Sequence, residues 1–272
     1  MVTNNEKIRK GLSSRESFLL SKLSSRGKRI IEIKDIENAL NTNYKNAKKT
    51  ASELERKGWL DRLSRGKYLI IPLEAGERSY YTEHEFLIAS RLVSPYYIGF
   101  LSALNFHGMT EQTPMTVFIA TTKRVRNRTV HGISYSFVTL KKSRFFGYRE
   151  YAVTNKAINI SDPEKTIIDC MNHLEYSGGI EEVVKGLKNP LNLEKLVDYA
   201  IRMGNGAAIK RLHYLLHTLE YPIPEGLERH LKDNYSRSYS LLDPTRPDKG
   251  NYNSTWMLRL NIPEKDLLGD VY

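Results

Sequence analysis

The run IIEIKDIENALNTNYKNAKKTASELERKGWLDRLSRGKYLIIP, residues 30–72, decides how the N-terminal part of this chain folds. It opens on β-branched residues, Ile30, Ile31 and Ile33, which suit a short strand. Residues 34–40 then turn Ile36, Ala39 and Leu40 to one side as a helix, and the polar turn Asn41-Thr42-Asn43 ends it. A second helix over 44–57 follows, with Asn43 as its N-cap, Ala47, Ala51 and Leu54 inward at i, i+4, i+7, and Gly58 at its end. Residues 59–63 and 67–71 alternate as two strands around Ser64-Arg65-Gly66, and Pro72 closes the second because it has no N–H to donate. Upstream, Ser14 precedes a helix with Phe18, Leu19, Leu20 and Leu23 on its apolar side, ending near Gly27.

Helix, tight turn, helix and hairpin in this order and at these lengths predict a winged helix-turn-helix over 1–72. With Ala47, Ala51 and Leu54 inward, the outward face of the 44–57 helix carries Lys45, Lys48 and Ser52 on one stripe, with Asn46 and Lys49 beside it and Asn43 at its start. These residues are expected to reach the major groove of DNA, and Arg62, Arg65 and Lys67 on the hairpin to hold phosphates. The competing reading is a solvated basic face on a module that binds only protein.

Charge distribution favours the first reading. Residues 1–72 carry 17 lysines and arginines against 8 aspartates and glutamates, residues 73–160 carry 11 against 6, and residues 161–272 carry 14 against 17. A basic head on a slightly acidic body is the electrostatic footprint of nucleic-acid binding. With 40% apolar and 27% charged residues, 272 residues suffice for two domains. No apolar run approaches the length of a membrane span, and no signal segment or lipidation motif is legible, so a cytoplasmic protein without membrane contact is expected. The single cysteine, Cys170, sits within the apolar pattern Ile167, Ile168, Met171, Leu174 and reads as core.

Beyond a polar linker at 73–79, the pattern mixes helices (84–93, 98–106, and a helix opened by Asp162-Pro163 through His173) with strands (116–120, 131–139, 151–155). From Ile180 onward the periodicity is helical, closing on a short strand at 257–260. The fold class is therefore α+β: a winged head over 1–72, then a domain over 80–272 that is mixed over 80–176 and mainly helical over 177–272.

Four stretches carry a family resemblance. Tyr97 to Thr110, with Leu104, His107, Gly108, Met109 and Thr110, resembles the "aLxxHGlt" element of the AbiEi antitoxins, regulatory partners in abortive-infection toxin-antitoxin systems. Ile160 to Asp169 resembles their "xxPERTllD" element, and Leu193 to Leu216 and Leu242-Asp243-Pro244…Gly250…Trp256 agree in order. The chain departs at Lys165, where arginine is common, and at His213, where glycine is. The resemblance implies an antitoxin domain behind the head, repression of the protein's own operon through promoter DNA, and antagonism of a nucleotidyltransferase-like toxin without a stable complex.

A second basic cluster, Lys123, Arg124, Arg126, Arg128, Lys141, Lys142, Arg144 and Arg149, is interleaved with Phe145, Phe146 and Tyr148. Two readings stand: a surface that pairs RNA phosphates and stacks its bases, or a strand edge kept soluble by charge. His213 and His217, at i, i+4 with Glu220 a turn on, have metal-ligand spacing but no evident third ligand, so no metal is expected. Asp162, Glu164 and Lys165 could serve a nuclease, yet a helix start explains them more simply. With no phosphate loop and no nucleophile elbow, neither a cofactor nor an enzyme of familiar type is expected. A nucleic-acid enzyme and a ligand-sensing repressor are the alternative functions.

Overall fold

The computed structural model describes residues 9–75, 84–130 and 132–268, which divide into two compact units, Met1–Leu92 and Val93–Tyr272. Both combine helices and strands, so the chain is α+β.

In the first unit, α1 (Ser14–Ser24), β1 (Ile30–Glu32), α2 (Ile33–Leu40), α3 (Tyr44–Arg56), β2 (Leu60–Ser64), β3 (Lys67–Ile70) and α4 (Glu85–Leu92) follow in order. The strands form an antiparallel sheet with β3 between β1 and β2. Local chemistry sets the boundaries. Ser13 and Glu16 cap α1 reciprocally, Ser13 taking the Glu16 N–H while the Glu16 carboxylate takes that of Ser13 at 2.7 Å. Asn41 ends α2 in the left-handed conformation, and the Asn43 carboxamide accepts the Asn46 N–H at 3.0 Å to start α3. Leu19, Ile31, Ile36, Ala47, Ala51, Leu54 and Leu69 are wholly buried. Each leucine or isoleucine so placed contributes about 1.5–3 kcal/mol. Phe18 is a correction: it is 55% exposed, because Leu19, Leu20 and Leu23 fill the inward side of α1.

The division falls at Leu92, past the linker expected at 73–79, of which 76–79 lie outside the described residues. Residues 73–75 form a 3₁₀ turn, and α4 belongs to the first unit, where the Lys67 ammonium donates to Arg91 O at 2.6 Å.

The second unit is built on a six-stranded mixed sheet: β4 (Tyr97–Ile98), β5 (Thr116–Thr121), β6 (Arg128–Val130), β7 (Ile133–Thr139), β8 (Tyr148–Val153) and β9 (Lys156–Ser161), ordered β6-β7-β5-β4-β9-β8. The pairs β5/β7 and β4/β9 are parallel and the others antiparallel. Among the helices, α5 (Phe100–Phe106), α6 (Pro163–Asn172), α7 (Ile180–Leu187), α8 (Leu193–Met203) and α9 (Gly206–Thr218) share one apolar core with Tyr97, Ala120 and Val138 of the sheet. Cys170 is wholly buried in that core.

The strands expected at 116–120 and 131–139 are present as β5 and β7, with His131 outside the described residues. The expected strand at 151–155 instead spans Tyr148–Val153, and Thr154 and Asn155 turn into β9 with positive φ. Strand β9 went unseen because its alternation leads directly into the cap of α6. After α10 (Glu225–Asp233), the stretch expected to be mainly helical closes on a second sheet, with β12 (Leu258–Leu260) between β10 (Ser240–Leu241) and β11 (Asn251–Asn253), before α11 (Glu264–Leu268).

Candidate nucleic-acid interface

Helix α3 buries Ala47, Ala51 and Leu54 and exposes Lys45, Asn46, Lys48, Lys49 and Ser52 on the opposite side. Its first turn holds no acidic side chain. Lys45 and Lys48 are in no ion pair among the described residues, while Lys49 stands 4.0 Å from Glu53. Asn43 is exposed, but its carboxamide oxygen is spent on the cap of α3. Tyr44, 56% exposed, shares a helix face with Lys48 and Ser52. It escaped the sequence reading because an aromatic at a helix start reads as core.

Opposite β3, β2 carries a bulge between Arg62 and Ser64, and Gly66, at φ +77°, turns the hairpin in a conformation that disfavours a side chain. Arg62 and Arg65 are exposed near this turn. Lys67 is not grouped with them. Its ammonium is held by Arg91 O and lies 3.5 Å from Glu32 of β1, which pairs with it in the sheet. A cleft of about 510 Å³ opens elsewhere in this unit, lined by Ser17, Leu20, Ser21, Trp59, Ile70 and Ile71 among others.

In the second unit the predicted basic cluster separates. Arg128 lies on β6 and Arg149 on β8, the two edges of the sheet, five strand spacings or roughly 24 Å apart. The Arg128 guanidinium sits over Phe137 and that of Arg149 over Tyr151, 5.5 and 4.8 Å from the ring centroids. Lys123, Arg124, Arg126, Lys141 and Lys142 are exposed in the loops after β5 and β7, with Arg144 half-buried beside them. The rings expected to stack bases pack on other aromatic side chains of the unit. Phe145 and Tyr148 pack on Tyr97, each with centroids 5.1 Å from it, and Phe146 is buried under Tyr199 and Arg202. Phe146 belongs to the core, and Phe145 and Tyr148, half-buried, pack against it.

The stretches behind the family resemblance have structural work. The Lys165 ammonium is wholly buried, ion-paired with Asp169 and 3.0 Å from the Tyr97 hydroxyl, which itself donates to Asp169 at 2.8 Å. Burial pushes the Lys165 ammonium below its ordinary range against the opposing pull of Asp169, and pushes the Tyr97 phenol well up. Gly147, at φ +69°, passes so close that a Cβ there would lie 2.9 Å from Lys165 Cβ. Asp162 caps α6 through Lys165 N at 2.9 Å, and Lys195 bridges Asp162 and Glu164 at 3.1 and 2.8 Å. Burial raises the Glu164 carboxyl, but the Lys195 ammonium and the Asn192 N–H outweigh it and hold it low. The carboxylates of the nuclease alternative are thus engaged by a helix cap and a lysine.

His107 meets Ser161 O at 2.7 Å through Nε2, and Thr110 donates to the buried Glu182. His213 and His217 both pack against the Trp256 indole, 4.8 and 5.1 Å away between ring centroids, and His213 Nδ1 meets the Tyr235 hydroxyl at 2.8 Å. Burial depresses the His213 imidazole to about 4.

The architecture and this interface define a two-unit α+β chain with a basic, solvent-facing helix in its N-terminal unit. No protein-family model matches it, and no curated protein is similar to it in sequence. Its fold is similar to that of the Rv2827c protein from Mycobacterium tuberculosis in a crystal structure, with a TM-score of 0.63 over 93% of this chain and 94% of that one at 14% identity. That likeness is one of fold alone.

Proposed function

We propose that the protein is a DNA-binding transcriptional repressor whose N-terminal unit is a winged helix-turn-helix, with α3 as its recognition helix and the β2/β3 hairpin as its wing. The observation that carries this reading is the α2-turn-α3 pair, whose second helix turns Lys45, Asn46, Lys48, Lys49 and Ser52 to solvent and is followed directly by a hairpin with Arg62 and Arg65 near its turn. The sheet order β1-β3-β2 supports it, because a wing hairpin closed by a short first strand has that order. In this reading the helix supplies base contacts and the hairpin phosphate contacts, and Lys67 serves the fold.

The resemblance of the second unit to AbiEi antitoxins extends the proposal: the protein represses its own toxin-antitoxin operon in the cytoplasm and counters a nucleotidyltransferase-like toxin without a lasting complex. Among the described residues no helix is long and apolar enough to cross a membrane.

The test is fluorescence anisotropy on a duplex from the protein's own upstream region and on a scrambled duplex. Preference for the native duplex by roughly 10³-fold or more is expected, and Lys45→Glu with Lys48→Glu abolishes it while the fold is kept. Unchanged preference in that double variant overturns the assignment of α3. Protection of toxin-expressing cells by the protein, absent from a variant lacking the second unit, tests the antitoxin half.

A further inference from the structure

Parallel pairing of β5 with β7 ends with Thr121 beside Thr139, so the loops that follow leave the sheet at the same end. Two hydrogen bonds fasten them together. The Leu140 N–H donates to Thr121 O at 2.8 Å, and the Thr139 hydroxyl to Lys123 O at 3.2 Å. Lys123 and Lys141 therefore rise from adjacent strands about 4.8 Å apart. Arg124, Arg126 and Lys142 are exposed beside them, and the Arg144 guanidinium reaches Gly204 O at 3.4 Å, behind α8. Residues 120–149 contain eight lysines and arginines and neither aspartate nor glutamate. None of the six loop cations is in an ion pair among the described residues.

Packing one sign of charge this closely is unfavourable, and a face that serves only solubility intersperses both signs. The repulsion is relieved when an extended polyanion lies across the loops. Bases of a single strand find a poor platform here, because Phe146 is buried and Phe145 and Tyr148, half-buried, are stacked on Tyr97. What remains is phosphate pairing without base stacking, the chemistry of a duplex backbone.

We propose that this strand-end patch of the second unit is a sequence-blind binding surface for the phosphodiester backbone of double-stranded DNA. Only the choice of DNA rests on the reading of α3. The patch adds affinity and salt dependence, and α3 adds sequence preference.

The full-length chain is titrated by anisotropy against an unrelated DNA duplex of roughly 30 base pairs, the same sequence as duplex RNA, and a single strand, over a range of salt. Replacing Lys123, Arg124, Lys141 and Lys142 with glutamine is expected to lower the slope of log K against log salt on duplex DNA by about 3–4, at about 0.9 for each phosphate no longer neutralised. The ratio of native to scrambled duplex stays as it was. Lys141→Gln alone lowers the slope by about 1, which keeps the experiment readable should the quadruple variant misfold. A slope on DNA that moves by less than about half a unit in both variants overturns the proposal, and so does an effect confined to RNA or to the single strand. A wild-type chain without preference between native and scrambled duplex would sink the reading of α3, while a lowered slope in the same variants would still support the patch.

Discussion

Replacing Asp169 with asparagine keeps the side chain's shape and removes its charge, leaving the Lys165 ammonium alone in the core of the second unit. Both side chains are wholly buried, and beyond Asp169 the ammonium has the Tyr97 hydroxyl at 3.0 Å. Breaking a buried pair from one side costs about 3–5 kcal/mol, a large share of the roughly 5–15 kcal/mol that holds a typical domain. At about 2 kcal/mol per molar urea, the unfolding midpoint falls by roughly 1.5–2.5 M. The chain has two tryptophans, Trp59 in the first unit and Trp256 in the second, so urea unfolding in a Trp59→Phe background reports the second unit alone. Burial already depresses the Lys165 ammonium, and loss of Asp169 depresses it further. Between that depressed folded-state value and about 10.4 the folded state binds fewer protons than the unfolded state, so within this window the variant regains stability as pH rises. Tyr97→Phe, Lys165→Met and Asp169→Leu together remove every polar partner of the site, and that triple variant is expected to be more stable at pH 7 than Asp169→Asn. A midpoint at pH 7 within about 0.5 M of the parent would refute the reasoning, since it would mean that the pair carries less than about 1 kcal/mol.

Two further outcomes follow from side chains whose surroundings are now defined. His213, depressed to about 4 by burial, must take up a proton when the second unit unfolds at acid pH, so stability falls as pH drops from about 6.5 toward 4. Relative to His213→Gln, the wild type should lose about 2–3 kcal/mol between pH 7 and 4.5, and parallel pH profiles would contradict this. In the hairpin, Lys67→Gln should leave the salt slope of DNA binding unchanged because its ammonium is held by Arg91 O, whereas Arg65→Gln should lower it by about 1. Equal effects of the two would place Lys67 on the phosphates after all.

Much of the N-terminal unit was legible because its signals are local. A cap such as Asn43, a 3.6-residue apolar rhythm such as Ala47, Ala51, Leu54, and a Gly-centred turn at Gly66 act within a few residues of themselves, and such spacing survives in a bare sequence. Phe18 was misplaced for the complementary reason: α1 has four apolar residues for one buried stripe, and only the element packed against it, chiefly α2, decides which stays outside. Asn43 was legible as the cap it forms, whereas Lys67, counted among the phosphate contacts by type and position, is tied to the end of α4, which lies well downstream.

In the second unit the sequence by itself determined that helices and strands alternate, that Asp162 and Pro163 open a helix, and that Cys170 belongs to the core. Only the tertiary structure decided the strand order, because hydrogen-bond pairing links residues far apart in the chain. That order sends Arg128 and Arg149 to opposite edges and brings Lys123 beside Lys141. It also decided that Lys165, written like any surface lysine, is enclosed with Asp169 and Tyr97. A charge sits in a protein interior only where its partner is brought to it, and Tyr97, 68 residues away, reaches Lys165 only because the chain folds back on itself.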